Sequence, residues 1–438
     1  MKGAAPPRAT FRGVFAIREF RALWLSEILS VAGDRLALVA LTLLVYDRTR
    51  SPLLTALAYA SGYLPWIIGG LFLAGLADRY PRRAVMVTCD MARAVLVTAM
   101  VIPGLPILGL VALLFAATAF APPFDSSRAA ITPAILPGDL YPLGASVTQA
   151  TFLAAQVGGV AVAGAAVEVT GVRPALAIDA VTFVLSGLLI GLGTRARPAA
   201  ATPGTASPWA RTRDGCRQVF GDQGLRTVVL FGWLAVFYTV PEAIAAPYAA
   251  GLGGGPAATG LVLASTASAT MIGTPLFTRF VRPRARASLM GPLAVGTCAA
   301  LVLTALRPDL AISLVIFSLS ALFGIYQIAA GTEFAARVPD ERRAQAVGIA
   351  STGIVVGQGA GFIAAGAAAS VLGPAAVIAL WGGTGAVAAV ALTLRWRQLS
   401  LQGGLAAIQR TPHAVTTAPG LHGRRAARAG QLLNGIIR

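Results

Sequence analysis

Gly75-Leu76-Ala77-Asp78-Arg79-Tyr80-Pro81-Arg82-Arg83 lies between two long apolar runs, Ser51–Ala77 and Ala84–Ile102. Four charged residues, Asp78, Arg79, Arg82 and Arg83, fall within six positions there. Charge at that density does not sit in hydrocarbon, so the stretch reads as a tight turn at a membrane surface, and its arginines place that surface on the cytoplasmic side.

The flanking sequence agrees. The chain has 438 residues, of which 56% are hydrophobic and only 12% charged, and apolar runs recur along nearly its whole length. That composition describes a polytopic membrane protein. The net charge of +18 comes from arginines in short loops and tails between apolar runs, so membrane topology accounts for it and nucleic acid is not expected as a partner. Lys2 is the only lysine, which excludes a lysine-containing phosphate loop and ATP hydrolysis by that route. Cys89, Cys216 and Cys298 are scattered and His413 and His422 lie in the C-terminal tail, so no cofactor, metal site or Cys–His pair is expected. The apolar run after Arg21 is too long for a signal peptide and reads as the first span.

A helix needs about 20 apolar residues to cross the bilayer core. On that measure twelve spans are expected, at 20–46, 52–77, 84–102, 106–127, 140–168, 172–194, 225–250, 256–280, 287–306, 309–337, 342–370 and 373–395. Residues 1–19 form an N-terminal tail, 20–194 a first six-helix half, 195–224 a linker with a surface helix at 208–220, and 225–395 a second half. The basic stretch 396–438 is expected to be a largely disordered tail against the inner leaflet. With both termini cytoplasmic, 29 Lys and Arg fall inside and four outside (Arg48, Arg50, Arg173, Arg307), leaving Arg35 and Arg93 within spans. The halves also repeat. At an offset of 202 residues Ala163–Gly171 matches Ala365–Gly373 at six of nine positions, and Gln156, Gly159 and Pro137 fall on Gln358, Gly361 and Pro339.

The order G-x-x-D-R-x-x-R-R after the second span resembles the loop 2–3 signature of the major facilitator superfamily. Further segments resemble the bacterial drug and macrolide exporters of that superfamily: Gly33-Asp34 within Trp24–Val45, Asp90-x-x-Arg93, Pro241-Glu242 with Pro247-Tyr248, Val338-Pro339-Asp340-x-Arg342, and Val356-Gly357-Gln358-Gly359. The resemblance covers roughly 14–395. It implies an all-α protein of twelve helices in two pseudo-symmetric halves, monomeric, with its site between them and driven by proton antiport. One departure is Gln156-Val157-Gly158-Gly159-Val160, which has valine where antiporters often carry proline in helix 5.

Ionisable residues inside spans are costly and therefore functional candidates. Asp34, deep in span 1, is the expected proton-coupling acid; the structural alternative pairs it permanently with a cation such as Arg35. Glu242, after Pro241 in span 7, is a candidate for binding a cation or relaying protons, or else a carboxylate satisfying backbone groups freed by the proline. Arg35 is also a candidate for proton coupling or the substrate cavity, and Glu27 is expected either to face the cavity in that role or to snorkel to the inner surface, while Asp179 in span 6 is expected to serve packing and hydrogen bonding. Asp90 and Arg93, three apart on one helix face, are expected near the inner surface. With Gly75, Asp78, Arg79, Arg82, Arg83 and Arg128 they would form an inside gate that switches as the protein changes state. Gly158, Gly159, Gly164, Gly357, Gly359 and Gly361 read as helix-packing positions. Phe237, Tyr238, Tyr248, Phe323 and Tyr326 are candidates for lining a substrate cavity.

The expected function is export of hydrophobic or cationic drug-like molecules across the cell membrane by proton antiport and alternating access. The partners are a small-molecule substrate, protons and the lipid bilayer. Uptake or facilitated diffusion of a small metabolite is the alternative, and a non-transporting membrane scaffold a second. No nucleophile–base or metal constellation suggests an enzyme.

Overall fold

A computed structural model describes residues 10–68, 80–197, 216–217, 219–338 and 340–409. Gly75, Asp78, Arg79 and nearly all of the expected linker helix lie outside the described residues. Within them the chain is helical, with no strand. After a short helix, Phe11–Ala16, capped by the Thr10 side chain, come α1 (Arg18–Thr49), α2 (Pro52–Ala60, then Pro65–Ile68) and α3 (Arg82–Met100). These are followed by α4 (Ile107–Ile135), α5 (Leu140–Thr170) and α6 (Val172–Gly193). The second half contains α7 (Gln223–Ala243, continued by Ala245–Gly251), α8 (Pro256–Phe280), α9 (Ala285–Leu306) and α10 (Leu310–Arg337). It ends with α11 (Asp340–Leu372) and α12 (Pro374–Gln409). Among the described residues, ten helices are long and apolar enough to cross a membrane. Together with α2 and α3 they follow the order of the twelve expected spans.

Proline shapes two of them. It has no N–H to donate and disrupts the preceding turn. Pro122 and Pro123 interrupt α4 at Phe120, yet the helix resumes to Ile135, beyond the expected end at 127, and carries Arg128 with it. Pro241 and Pro247 break α7 into short pieces, and the Glu242 N–H reaches only to the Thr239 carbonyl, at 3.0 Å. The last helix continues to Gln409, past 395, into a stretch expected to be a disordered tail.

The internal repeat is visible in three dimensions. Gly171 and Gly373, 202 apart, end α5 and α11 with the same left-handed φ of 84°, which a side chain would strain. Gly159 lies on α1 at Ala32 and Arg35, and Gly361 lies on α7 at Val236. Gly164 meets the backbone of Gly260 on α8, and Gly366 meets that of Pro52 and Leu53 on α2. The two halves are therefore closed against each other at two equivalent crossings, α5 on α8 and α2 on α11. Of the other expected packing glycines, Gly357 meets Val236 and Gly359 meets Leu64, whereas Gly158 faces open space and packs against nothing. Val169 and Val371, again 202 apart, are each 85% exposed and present an apolar surface suited to lipid.

The core shows which end is shut. Toward the end that carries Arg50, Gly171 and Gly373, one apolar cluster runs through both halves, from Val39, Leu41 and Ala56 to Tyr248, Phe317 and Phe362. Toward the other end, a cluster built on Phe20, Met86, Phe124 and Ile131 belongs to the first half alone. At the closed end Glu168 on α5 accepts a hydrogen bond from the Ala257 N–H at 3.1 Å, placing a carboxylate on the unsatisfied N-terminal donors of α8. A side chain at Gly164 cannot fit against the Gly260 Cα. Gly164→Leu is therefore expected to leave the cavity open at this end, read as increased labelling of a cavity cysteine by an impermeant thiol reagent, with transport lost. Unchanged labelling and transport would show that the crossing is not needed for closure.

Candidate functional site

Between the halves lies a cavity of about 330 Å³. Arg35 from α1, Tyr59 and Tyr63 from α2, and Gln156 from α5 line it on one side. Tyr238 and Glu242 from α7, Thr266 and Thr270 from α8, and Gln327 from α10 face them from the other. Most of the remaining wall is apolar, with Leu153, Val160, Leu263 and Phe317 among it.

The broken α7 turns Glu242 toward the opposite half. Its Oε2 accepts from the Tyr59 hydroxyl at 3.0 Å and from the Tyr63 hydroxyl at 3.4 Å. Tyr59 ends the first piece of α2 and Tyr63 lies in the turn that follows it, and both rings stack edge-on against Phe362 of α11. The carboxylate is thus held by side chains from the first half, not by backbone groups freed at Pro241. Gln327 donates to the Gly232 carbonyl and the Tyr238 hydroxyl, each at 3.0 Å, and Gln358 donates to Thr239 at 3.2 Å.

A second, smaller chamber of about 80 Å³ lies within the first half, lined by Glu27, Ser30, Asp34, Arg93 and Asp125. Arg35 borders both chambers, and its Nε is buried with no hydrogen-bond partner. Asp34, midway along α1, pairs directly with Arg93 and keeps 39% of its side chain exposed to the chamber. Arg93 also donates to Ser30 at 3.0 Å, approaches Asp90 at 3.9 Å, and lies 4.2 Å above the Phe183 ring of α6. Asp90 in turn accepts from Ser186 of α6 at 2.6 Å. Glu27 pairs with Arg128 at 2.6 Å, and Arg128 reaches Asp125 at 3.4 Å.

The model of the Major Facilitator Superfamily matches residues 23–339. The chain belongs to the major facilitator superfamily. It is a multi-pass membrane transporter of that type and not an enzyme. An uncharacterized transporter of the superfamily from Bacillus subtilis (strain 168), YkuC, is 30% identical over 204 residues, 45% of this chain and 47% of its own. The chain thus spans about half the length of the curated relative it matches. Solved structures share the fold across most of its length. A bacterial homologue of the human lysosomal transporter Spinster, inward-facing and unoccupied, is 15% identical over 86% of this chain and 96% of its own, with a TM-score of 0.67. The nucleoside transporter NupG is 14% identical over 86% and 99%, with a TM-score of 0.67.

Several expected placements change. Glu27 is only 4% exposed and bound to Arg128, so it does not snorkel; a half-buried guanidinium on the extended α4 supplies its counter-charge. Arg93 and Asp90 lie deep within the first half, not near the surface, because Arg93 is the partner of Asp34. Arg35 is not that partner, since the next residue on a helix points about 100° away. Arg82 donates to the Ala130 carbonyl at 3.0 Å and Arg83 to that of Gly191, tying the start of α3 to α4 and α6. Of the five aromatic candidates, Tyr238 lines the cavity, whereas Tyr248 is buried against Phe317 and Tyr326 against Phe231. The chambers are also lined by Tyr59, Tyr63, Gln327 and Asp125, which are not among the sequence candidates. The i,i+4 spacing of the two tyrosines on a single span was the available signal.

Proposed function

We propose that this transporter exports small lipophilic cations in exchange for protons, with substrate in the inter-half cavity and the proton exchanged at Asp34. The observation that carries this reading is the arrangement of the two chambers. Glu242 stands among apolar and aromatic walls in one, the Asp34–Arg93 pair occupies the other, and Arg35 borders both. A cation entering the cavity can take Glu242 from its tyrosine donors. A proton reaching Asp34 would neutralise the partner of Arg93, leaving that guanidinium to Asp90. Each event changes the interactions of a helix that borders the other chamber, so both bias the same rocking equilibrium.

The cavity volume is near the lower end of the range for drug-sized sites, about 300–1,000 Å³. In this closed-ended state the cavity suits compact aromatic cations better than macrolides. With both termini cytoplasmic, as the arginine distribution suggests, the shut end faces outward and the chain is in an inward-facing state. The gate role of Asp78, Arg79, Arg82 and Arg83 belongs to the same reading, with the turn closing the inner face when the cavity opens outward.

The test is efflux of a lipophilic cationic dye from cells expressing the wild type or Glu242→Gln. Wild type should lower dye retention. Glu242→Gln should reduce that efflux about tenfold to a hundredfold at unchanged membrane abundance, the scale of losing one charge-assisted contact of about 1.5–3 kcal/mol. Faster dye accumulation on expression would instead establish uptake. Equal efflux by the two proteins would remove Glu242 from the site.

A further inference from the structure

Arg93 pairs with Asp34 from α1 and approaches Asp90 on its own helix, α3, and a third carboxyl, Asp179 from α6, lies against the α1 backbone at Gly33, beside Asp34. Asp90 and Asp179 are fully buried. Like charges sharing one buried site cannot all persist against a single guanidinium, and the usual resolution is that a carboxyl keeps its proton.

Hydrogen bonding distinguishes the three. Asp34 accepts from Arg93, and Asp90 accepts from Ser186 at 2.6 Å on Oδ2, while its Oδ1, itself without a hydrogen bond, lies 3.9 Å from Arg93. Asp179 has no comparable donor. Its Oδ2 is buried with no hydrogen-bond partner, and its Oδ1 lies 3.3 Å from the Thr182 hydroxyl. That hydroxyl sits only 2.7 Å from the backbone carbonyl of Asp179, and a hydroxyl has one hydrogen to give. With its hydrogen on the carbonyl, Thr182 can meet the Asp179 carboxyl only as an acceptor. Gly33 sets the remaining wall. A Cβ there would overlap both Asp179 Oδ1 and Thr182 Oγ1, so the acid lies directly on the α1 backbone beside Asp34.

We propose that Asp179 is a proton-holding site of the first half, its proton on Oδ1 and donated to Thr182 Oγ1. The charged groups that face it are Asp34 from α1 and Arg93 from α3. A neutral Asp179 leaves Arg93 to the other two carboxylates and keeps the crossing of α1 and α6 free of an unpaired charge. This site does not border the substrate cavity. It is independent of proton-driven export, because a facilitator indifferent to protons would hold the same proton.

Infrared spectroscopy of the purified full chain, in light and heavy water, reads this directly. The wild type should show a deuterium-sensitive carboxylic acid carbonyl band at neutral pH, and Asp179→Asn should lose one component of it. Thr182→Val keeps the acid but removes its acceptor, so the same component should move to higher frequency without losing intensity. An acid band unchanged in Asp179→Asn would overturn the proposal. If Asp179→Asn fails to fold, Thr182→Val alone decides: an acid region identical to wild type means that Asp179 is ionised.

Discussion

Asp34→Asn is expected to reach the membrane in near-normal amount and to lose at least tenfold of its gradient-driven efflux. Asparagine keeps the shape of the side chain and removes its charge, while Arg93 retains Ser30 and Asp90 as partners. The lost contact is a charge-assisted hydrogen bond, a cost of about 1.5–3 kcal/mol that a folded chain can absorb. What the variant cannot do is alternate between charged and neutral forms at that position. Efflux by Asp34→Asn should therefore be insensitive to a protonophore, while exchange of labelled for unlabelled substrate continues. If membrane abundance fell in step with transport, the Asp34–Arg93 pair would be structural only.

The second large effect is expected at Arg93. The residue is 1% exposed, and its guanidinium serves Asp34, Ser30, Asp90 and the Phe183 ring at once. Removing one partner of a buried ion pair costs about 3–5 kcal/mol, because the remaining charge stays uncompensated. Here at least two carboxylates would lose their counter-charge together. Arg93→Leu should accordingly lose most of its membrane abundance, measured by fluorescence-detected size exclusion, and lower the thermal midpoint of what remains. Asp34→Asn in the same chain should restore part of both. Lysine should not substitute, since one ammonium cannot present the planar fork that Asp34, Ser30 and Asp90 share. Normal abundance of Arg93→Leu would mean that the carboxylates around it are already neutral.

The fold was legible because its signals are local. α8 runs from Pro256 to Phe280 as expected, bracketed by a glycine-rich turn before it and arginines after it. Repeat partners such as Gly171 and Gly373 adopt the same backbone angle. α4 runs past its expected end at 127 because Arg128, with the polar residues just before it, looks like the start of a loop in sequence. In the fold Arg128 continues the helix by pairing with Glu27 and with Asp125. The candidate site was half legible. A lone carboxylate in an apolar span announces itself by its cost, which singled out Asp34 and Glu242. Their partners did not, because Arg93 lies 59 residues from Asp34, and Tyr59 lies 183 residues from Glu242 across the interface between the halves. Tertiary packing alone brings them together, and a tyrosine in an apolar span looks like any other aromatic. In sequence Asp179 looks like a packing residue, and it is distinguished only in the folded chain, by an orphaned oxygen with no ion pair and no donor beyond a Thr182 hydroxyl already directed to its backbone carbonyl.

The central claim is that substrate and proton move in opposite directions through one protein. Purified protein in sealed liposomes, loaded with a pH-sensitive dye and given a lipophilic cation on one side, tests it most directly. Substrate entry should drive protons out and raise the lumenal pH, with no change in Asp34→Asn vesicles. Substrate movement with no accompanying pH change in wild type would contradict the account and leave a facilitator on the same fold.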